Sequence, residues 1–160
     1  MANLTHVDLI TPERVLFSGD AEAVVLRADG ADTTFLANHM DYIGAVDICV
    51  LRLEGVQGGG TPSGDAPASG AGSAGDVAPR GEVLAAVHGG FVKVADNKVT
   101  VVAGVAELAE EIDVTRAQRA LEAAESRLSA GELAEADLAA ARARVRIAAA
   151  VKLKADLGRL

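Results

Sequence analysis

Tryptophan is absent from this chain, aromatic residues of all kinds make up 2% of it, and cysteine occurs once. Without large aromatics, alanine, valine and leucine must do most of the packing. Half of the 160 residues are apolar, so a core of ordinary size for one domain with an appendage is within reach. A single cysteine excludes a disulfide framework. Cys49 stands inside the apolar run "DICVLRL", where a small buried hydrophobe is favoured over a nucleophile or ligand. No stretch nears the roughly 18 apolar residues that a membrane span needs. The opening "MANLTHVDL" carries polar and charged residues where a signal peptide has its apolar core. The expectation is a cytosolic protein that reaches a membrane only through a partner.

Positive charge is also in short supply. The formal net charge is -8 and the isoelectric point about 4.8, which argues against nucleic acid as a partner. The chemistry of catalysis is equally thin. His6, His39 and His88 have no spacing that makes a metal site with Cys49, and no Ser, His, Asp arrangement stands out. Glu110 and Glu111 are adjacent, so their side chains diverge, and a solvated helix start explains them better than acid and base work. "GAGSAG", with Gly70, Gly72 and Gly75, satisfies G-x-G-x-x-G but has neither the preceding strand nor the following helix that a pyrophosphate site requires. Nothing here points to an enzyme.

What is present falls into two styles. From Asn3 to Ala103 run short β-prone segments, "HVDLI", "AEAVVLRA", "TTFLA", "DICVLRL", "EVLAAV", "GFVKVA" and "KVTVVA", divided by turn signals. They predict a mainly β sandwich or flattened barrel over residues 1–105. Asp96 and Asn97, both tolerant of positive φ, predict a tight hairpin, with Gly89 and Gly90 turning the chain just before it. Between Gly55 and Gly81 lies a Gly, Ala, Ser and Pro stretch unable to order itself by burial. Too few strands precede it to fold alone, so 56–80 is read as an expanded loop rather than an interdomain linker.

From Asp113 the period changes. Ala117, Leu121, Ala124 and Leu128 make one helical stripe, with either Thr115 and Gln118 as a capping box or Asp113 as N-cap. Glu107, Glu110 and Glu111 suit the positive end of that helix. Gly131 predicts its stop, and a second helix follows from about Glu135 to Leu157, striped by Leu138, Ala141, Val145 and Ala148. Residues 112–160 therefore read as an α-helical hairpin packed through small alanines, weakly held and able to change partners. Arg142, Arg144, Arg146, Lys152, Lys154 and Arg159 face only Asp156 as a counter-charge in their stretch. They form either a solvated face or a landing strip for an acidic surface.

Two blocks make a sharper case. "DLITPERVLFSGDAEAVVLRA" resembles the opening of the epsilon subunit of F-type ATP synthases, in which a strand, a T-P-x-x-x-V-x turn and a second strand begin a β-sandwich. "VHGGFVKVADNKVTVVAGVAELAEEIDVTRA" resembles the same family's G-G-F, hairpin and A-E-x-A-E-E-I-D-x-x-R-A sequence almost without a gap. The likeness covers nearly the whole chain apart from 56–80 and fades after about Leu128. Where the family has G-E-L-G-I-x-P-G-H-x-P-L, this chain has "ADTTFLANHMDYI", keeping His39 but losing the glycines and prolines.

The resemblance implies a non-catalytic rotor subunit of a proton-translocating ATP synthase, peripheral on the cytoplasmic face of the cell membrane. Its sandwich is expected to bind the gamma subunit and the membrane c-ring, with Asp32 and His39 at the ring contact. Its hairpin is expected to leave the sandwich, extend along gamma and block ATP hydrolysis. Arg142, Arg144, Arg146 and Lys152 would then meet acidic segments of the alpha and beta subunits. Some members hold the hairpin down with a regulatory ATP bound through I-D-x-x-R-A, matched here by Ile112, Asp113, Arg116 and Ala117, with Arg142 and Arg146 at a compatible spacing. The alternative, from another class, is a stand-alone module whose basic helix binds an unrelated acidic partner.

Overall fold

In the computed structural model, residues 3–60, 80–131 and 133–157 are described, as eight strands followed by two helices. The strands are β1 (Thr5–Ile10), β2 (Val15–Ala21), β3 (Ala23–Ala28), β4 (Ala31–Leu36), β5 (Tyr42–Gly60), β6 (Arg80–Ala95), β7 (Lys98–Ala103) and β8 (Ala106–Leu108). They form one sheet in the order β4-β3-β5-β2-β1-β7-β6-β8, and an additional pairing of β5 with β6 closes five of them into a barrel. Only β1 and β7 pair in parallel. The expected β-sandwich or flattened barrel followed by an α-helical hairpin is the observed architecture.

Alternation builds the barrel. Along β1, Thr5, Val7 and Leu9 point inward while His6, Asp8 and Ile10 do not, and in β7 the inward set is Val99, Val101 and Ala103. Leu51, Leu53, Phe35, Leu16 and Leu26 fill the interior beside them. Strand β2, "VLFSGDA", is broken by Ser, Gly and Asp and so is not among the β-prone runs, yet it pairs with β1 along its length but for a bulge at Leu16. The Asp96–Asn97 hairpin forms as predicted, with φ of 52° and 57°. Asn97 also ties down its surroundings, accepting from the Asn38 amide at 2.7 Å and donating to the Leu4 carbonyl at 2.9 Å.

Gly89 and Gly90 do not turn the chain. Strand β6 runs straight through them, with its register against β5 unbroken from Val56↔Arg80 to Tyr42↔Val94. What changes is the side that faces the core. Ala85 and Val87 are buried before the glycines, Val92 and Val94 after them, so the inward parity flips from odd to even. Neighbouring strands flip on the same line: Val46 gives way to Cys49 in β5, and Ala103 to Ala106 across the break between β7 and β8. The result is a crease in the sheet. Gly90, at φ 150°, lies so close to β7 that a Cβ would collide with the Val102 carbonyl oxygen.

Beyond the crease, Leu84, Ala86 and His88 of β6 and Ile48, Val50 and Arg52 of β5 are directed away from the barrel interior. That surface receives the helices. A 3₁₀ turn at Ala109–Glu111 leads to α1 (Val114–Ser129), and α2 (Leu133–Leu157) returns. Asp113 caps α1, its side chain accepting from the Arg116 amide at 3.1 Å, so the Thr115 capping box is not the one used. Gly131, at φ 94°, ends the helix pair's first arm as expected.

The stripe predicted on α2 is corrected. Leu138 is 42% exposed and Ala148 is exposed, whereas Ala136, Ala140, Ala143, Ala149 and Ala150 are buried. Alanine on nearly every side lets α2 lie on two surfaces at once, α1 and the sheet, so no single stripe describes it. On the sheet side Ala149, Val145 and Leu153 pack with Leu84, Ala86, Ala109, Val50 and Ile112.

Candidate functional site

The seam between α2 and the creased sheet gathers most of the residues that the sequence marked. Its apolar middle is flanked by charge at both ends. At one end Lys152 Nζ donates to Glu82 Oε1 at 2.8 Å, and Arg52 reaches the same Glu82 oxygen at 3.5 Å. At the other, Arg146 Nη2 donates to Glu107 Oε1 at 2.7 Å. Arg144 turns instead to α1, donating to Glu125 at 3.3 Å. Three of the four cations expected to meet an acidic partner therefore meet acids of their own chain. Arg142 is exposed.

Glu82 and Glu107 were not legible as partners, because 70 and 39 residues separate them from Lys152 and Arg146. Nor does Glu107 serve the helix dipole. Glu111 likewise binds Arg14 Nη2 at 2.6 Å rather than the helix start, and no acidic residue occupies the first turn of α1.

Ile112, Asp113, Arg116 and Ala117 come together around one cavity of about 70 Å³, and Glu107, Glu111 and Arg146 complete its lining. Sites that enclose small-molecule ligands run to roughly 300 Å³ and more, so this cavity does not admit a nucleotide with the hairpin docked as it is. Its wall carries three carboxylates, Glu107, Glu111 and Asp113, against two arginines, Arg116 and Arg146. In this form Asp113 works as a helix cap.

His88, which the sequence offered only as a histidine without metal-site spacing, lies on the sheet face under α2, close to Arg146 and Glu107 of the cavity wall. Its Nε2 and the Nε of Arg146 are both buried without a hydrogen-bond partner among the described residues. Burial lowers the His88 pKa below the usual histidine value, Arg146 and Arg142 lower it further, and Glu107 opposes them. The signal that could have found it is its place in "EVLAAVH", two residues on from Ala86 on the same side of a strand.

Asp32 and His39 are not brought together. Asp32 lies near the start of β4, largely exposed and 3.7 Å from Arg27. His39 lies beyond the end of β4, its ring edge-on to Phe35 with centroids 5.1 Å apart. Near His39 the surface is apolar: Leu36, Met40, Ile43 and Phe91 are all more than half exposed. Ile43, Ala45, Phe91 and Val102 share one outward face by register across β5, β6 and β7. Cys49 behaves as the small hydrophobe expected, buried, its thiol pushed up in pKa chiefly by that burial.

Comparison with known proteins places this geometry. The family model for the ATP synthase, Delta/Epsilon chain, beta-sandwich domain matches residues 4–61. The ATP synthase epsilon chain of Streptomyces griseus is 35% identical over 138 residues, covering 86% of this chain and 94% of that one. This chain belongs to the ATP synthase epsilon chain family. The epsilon chain of Thermobifida fusca is 34% identical over 90% of this chain and 91% of its own length. Among solved structures, a chain in the Euglena gracilis mitochondrial ATP synthase, described as OSCP/F1/c-ring in rotational state 1, superposes with a TM-score of 0.56 at 17% identity, covering 97% of this chain and 82% of that one.

As an epsilon chain, the molecule is a non-catalytic rotor subunit of the ATP synthase central stalk. The stand-alone module is set aside by that membership. The complex is membrane-associated, and among the described residues no helix is long and apolar enough to cross a membrane.

Proposed function

We propose that the chain works as two units, a sandwich (1–105) that couples and a hairpin (112–160) that regulates. The sandwich seats on the gamma subunit and the membrane c-ring, on the cytoplasmic face of the cell membrane. The apolar row Ile43, Ala45, Phe91 and Val102 and the neighbouring Leu36 and Met40 supply the area such a contact needs, with Asp32 and His39 as its polar contacts to the ring. The hairpin leaves the sandwich to inhibit ATP hydrolysis. Arg144, Arg146 and Lys152 then exchange Glu125, Glu107 and Glu82 for acidic segments of the alpha and beta subunits, joined by Arg142.

One observation carries this reading: the hairpin is fixed to the sheet by a small apolar cluster, with Ala149, Val145 and Leu153 on the helix side, and by ion pairs at its two ends. Ion pairs are easily traded for equivalent pairs on another surface, since the desolvation is repeated and not added. A regulatory ATP, held by Ile112, Asp113, Arg116 and Ala117 with Arg146 and Arg142, requires the cavity at the start of α1 to open first. The test is ATP hydrolysis by the assembled head with the full chain and with a chain ending at Glu111. Truncation should raise hydrolysis several-fold. Unchanged hydrolysis would leave residues 112–160 without an inhibitory role.

A further inference from the structure

Three charged groups act on His88 across the seam. From α2 come Arg142 and Arg146, from β8 comes Glu107, and from β5 the register partner is the apolar Ile48. Glu107 is the one counter-charge, and it is already engaged by Arg146 at 2.7 Å. The imidazole is aligned with Leu84 and Ala86 on the surface that α2 covers, with its Nε2 buried and unpartnered. A neutral ring fits there. A cationic ring would add a third positive charge to those of Arg146 and Arg142, at a buried Nε2 that has no hydrogen-bond partner among the described residues.

We propose that His88 is a pH-operated latch, its protonation driving α2 and the hairpin off the sandwich. Departure of α2 removes Arg142 and Arg146 together and leaves the imidazolium beside Glu107, whose charge is freed at the same moment. The direction follows from linkage. Undocked, His88 titrates near the ordinary histidine value of about 6.5; docked, its pKa lies lower. Undocking therefore takes up a proton, docking is strongest above that ordinary value, and it weakens as the pH falls toward the docked one. His6 and His39 lie elsewhere on the barrel and take no part. The consequence for hydrolysis, a hairpin released for inhibition on acidification, rests on the inhibitory reading; the latch itself does not.

The test reads docking in the isolated full chain, with no ATP hydrolysis involved. Spin labels at Asp41→Cys and Glu122→Cys report the separation of sandwich and α1, Cys49 being buried and left in place. The His88 imidazole is followed by NMR in the unlabelled wild type. Between about pH 7.5 and 5.5, above the range in which carboxylates titrate, the docked-to-undocked ratio should fall, by at most about ten-fold, in step with the His88 resonance. His88→Gln should hold the ratio flat, while His6→Gln and His39→Gln should retain the fall. A hairpin that stays docked while the wild-type imidazole protonates overturns the latch. So does an identical pH profile in a folded His88→Gln chain. If that variant does not fold, the wild-type resonance against the label distance decides alone.

Discussion

The barrel interior and the seam beneath the hairpin use opposite sides of the same two strands, and they are built differently. Inside β5 and β6, Leu51, Leu53 and Val87 join Phe35, Leu9 and Leu16 in a sealed core with no charge in it. On the outside, three of the four fully buried seam residues are alanine, and the ends are closed by Lys152 with Glu82 and Arg146 with Glu107. A buried Leu, Val or Phe contributes about 1.5–3 kcal/mol, whereas each buried methylene contributes about 0.8. The difference marks the barrel interior as the more strongly held of the two. The seam buries a smaller apolar cluster than the barrel interior and relies on ion pairs at its margins.

The largest effect should come from the sealed side. Leu51→Ala, at a position with no exposed surface, should lower the global unfolding free energy by about 2–5 kcal/mol in chemical denaturation, with the hairpin lost in the same transition. A substitution at the seam that destabilised the barrel as much would erase the contrast. Asp113→Ala removes the acceptor for the Arg116 amide and should cost α1 about 1 kcal/mol, seen as faster amide exchange in the helix while barrel amides are unchanged. The smallest effect belongs to Arg144→Gln. Its pair with Glu125 is more than half exposed on both sides, so melting should report a loss below about 0.5 kcal/mol.

How much of this was legible depends on whether the cause was local. The Asp96–Asn97 turn, the Gly131 stop and most strands were readable because their geometry is set by residues within a few positions. The crease was not, since Gly89 and Gly90 suit a turn as well as a flipped strand; the close approach of Val102 from β7 settles the matter. The α2 stripe failed for a related reason. With alanine on every side, periodicity carries no direction, and burial was assigned by the two surfaces the helix happens to touch. At the site, Ile112, Asp113, Arg116 and Ala117 were found as a contiguous motif and do share a cavity. Arg146 joins them only through the return of α2.

By itself the sequence determined the family, the β barrel followed by a helical hairpin, and the tight turns. Those follow from local propensity, alternation and contiguous motifs. Only the tertiary structure decided that the cations of α2 face Glu82, Glu107 and Glu125, and that His88 lies beneath Arg146 without an acceptor. Ion pairs and burial depend on which distant surfaces meet. In this chain that meeting is governed by a sheet crease and a helix of alanines, neither of which carries a long-range signature in the order of its residues.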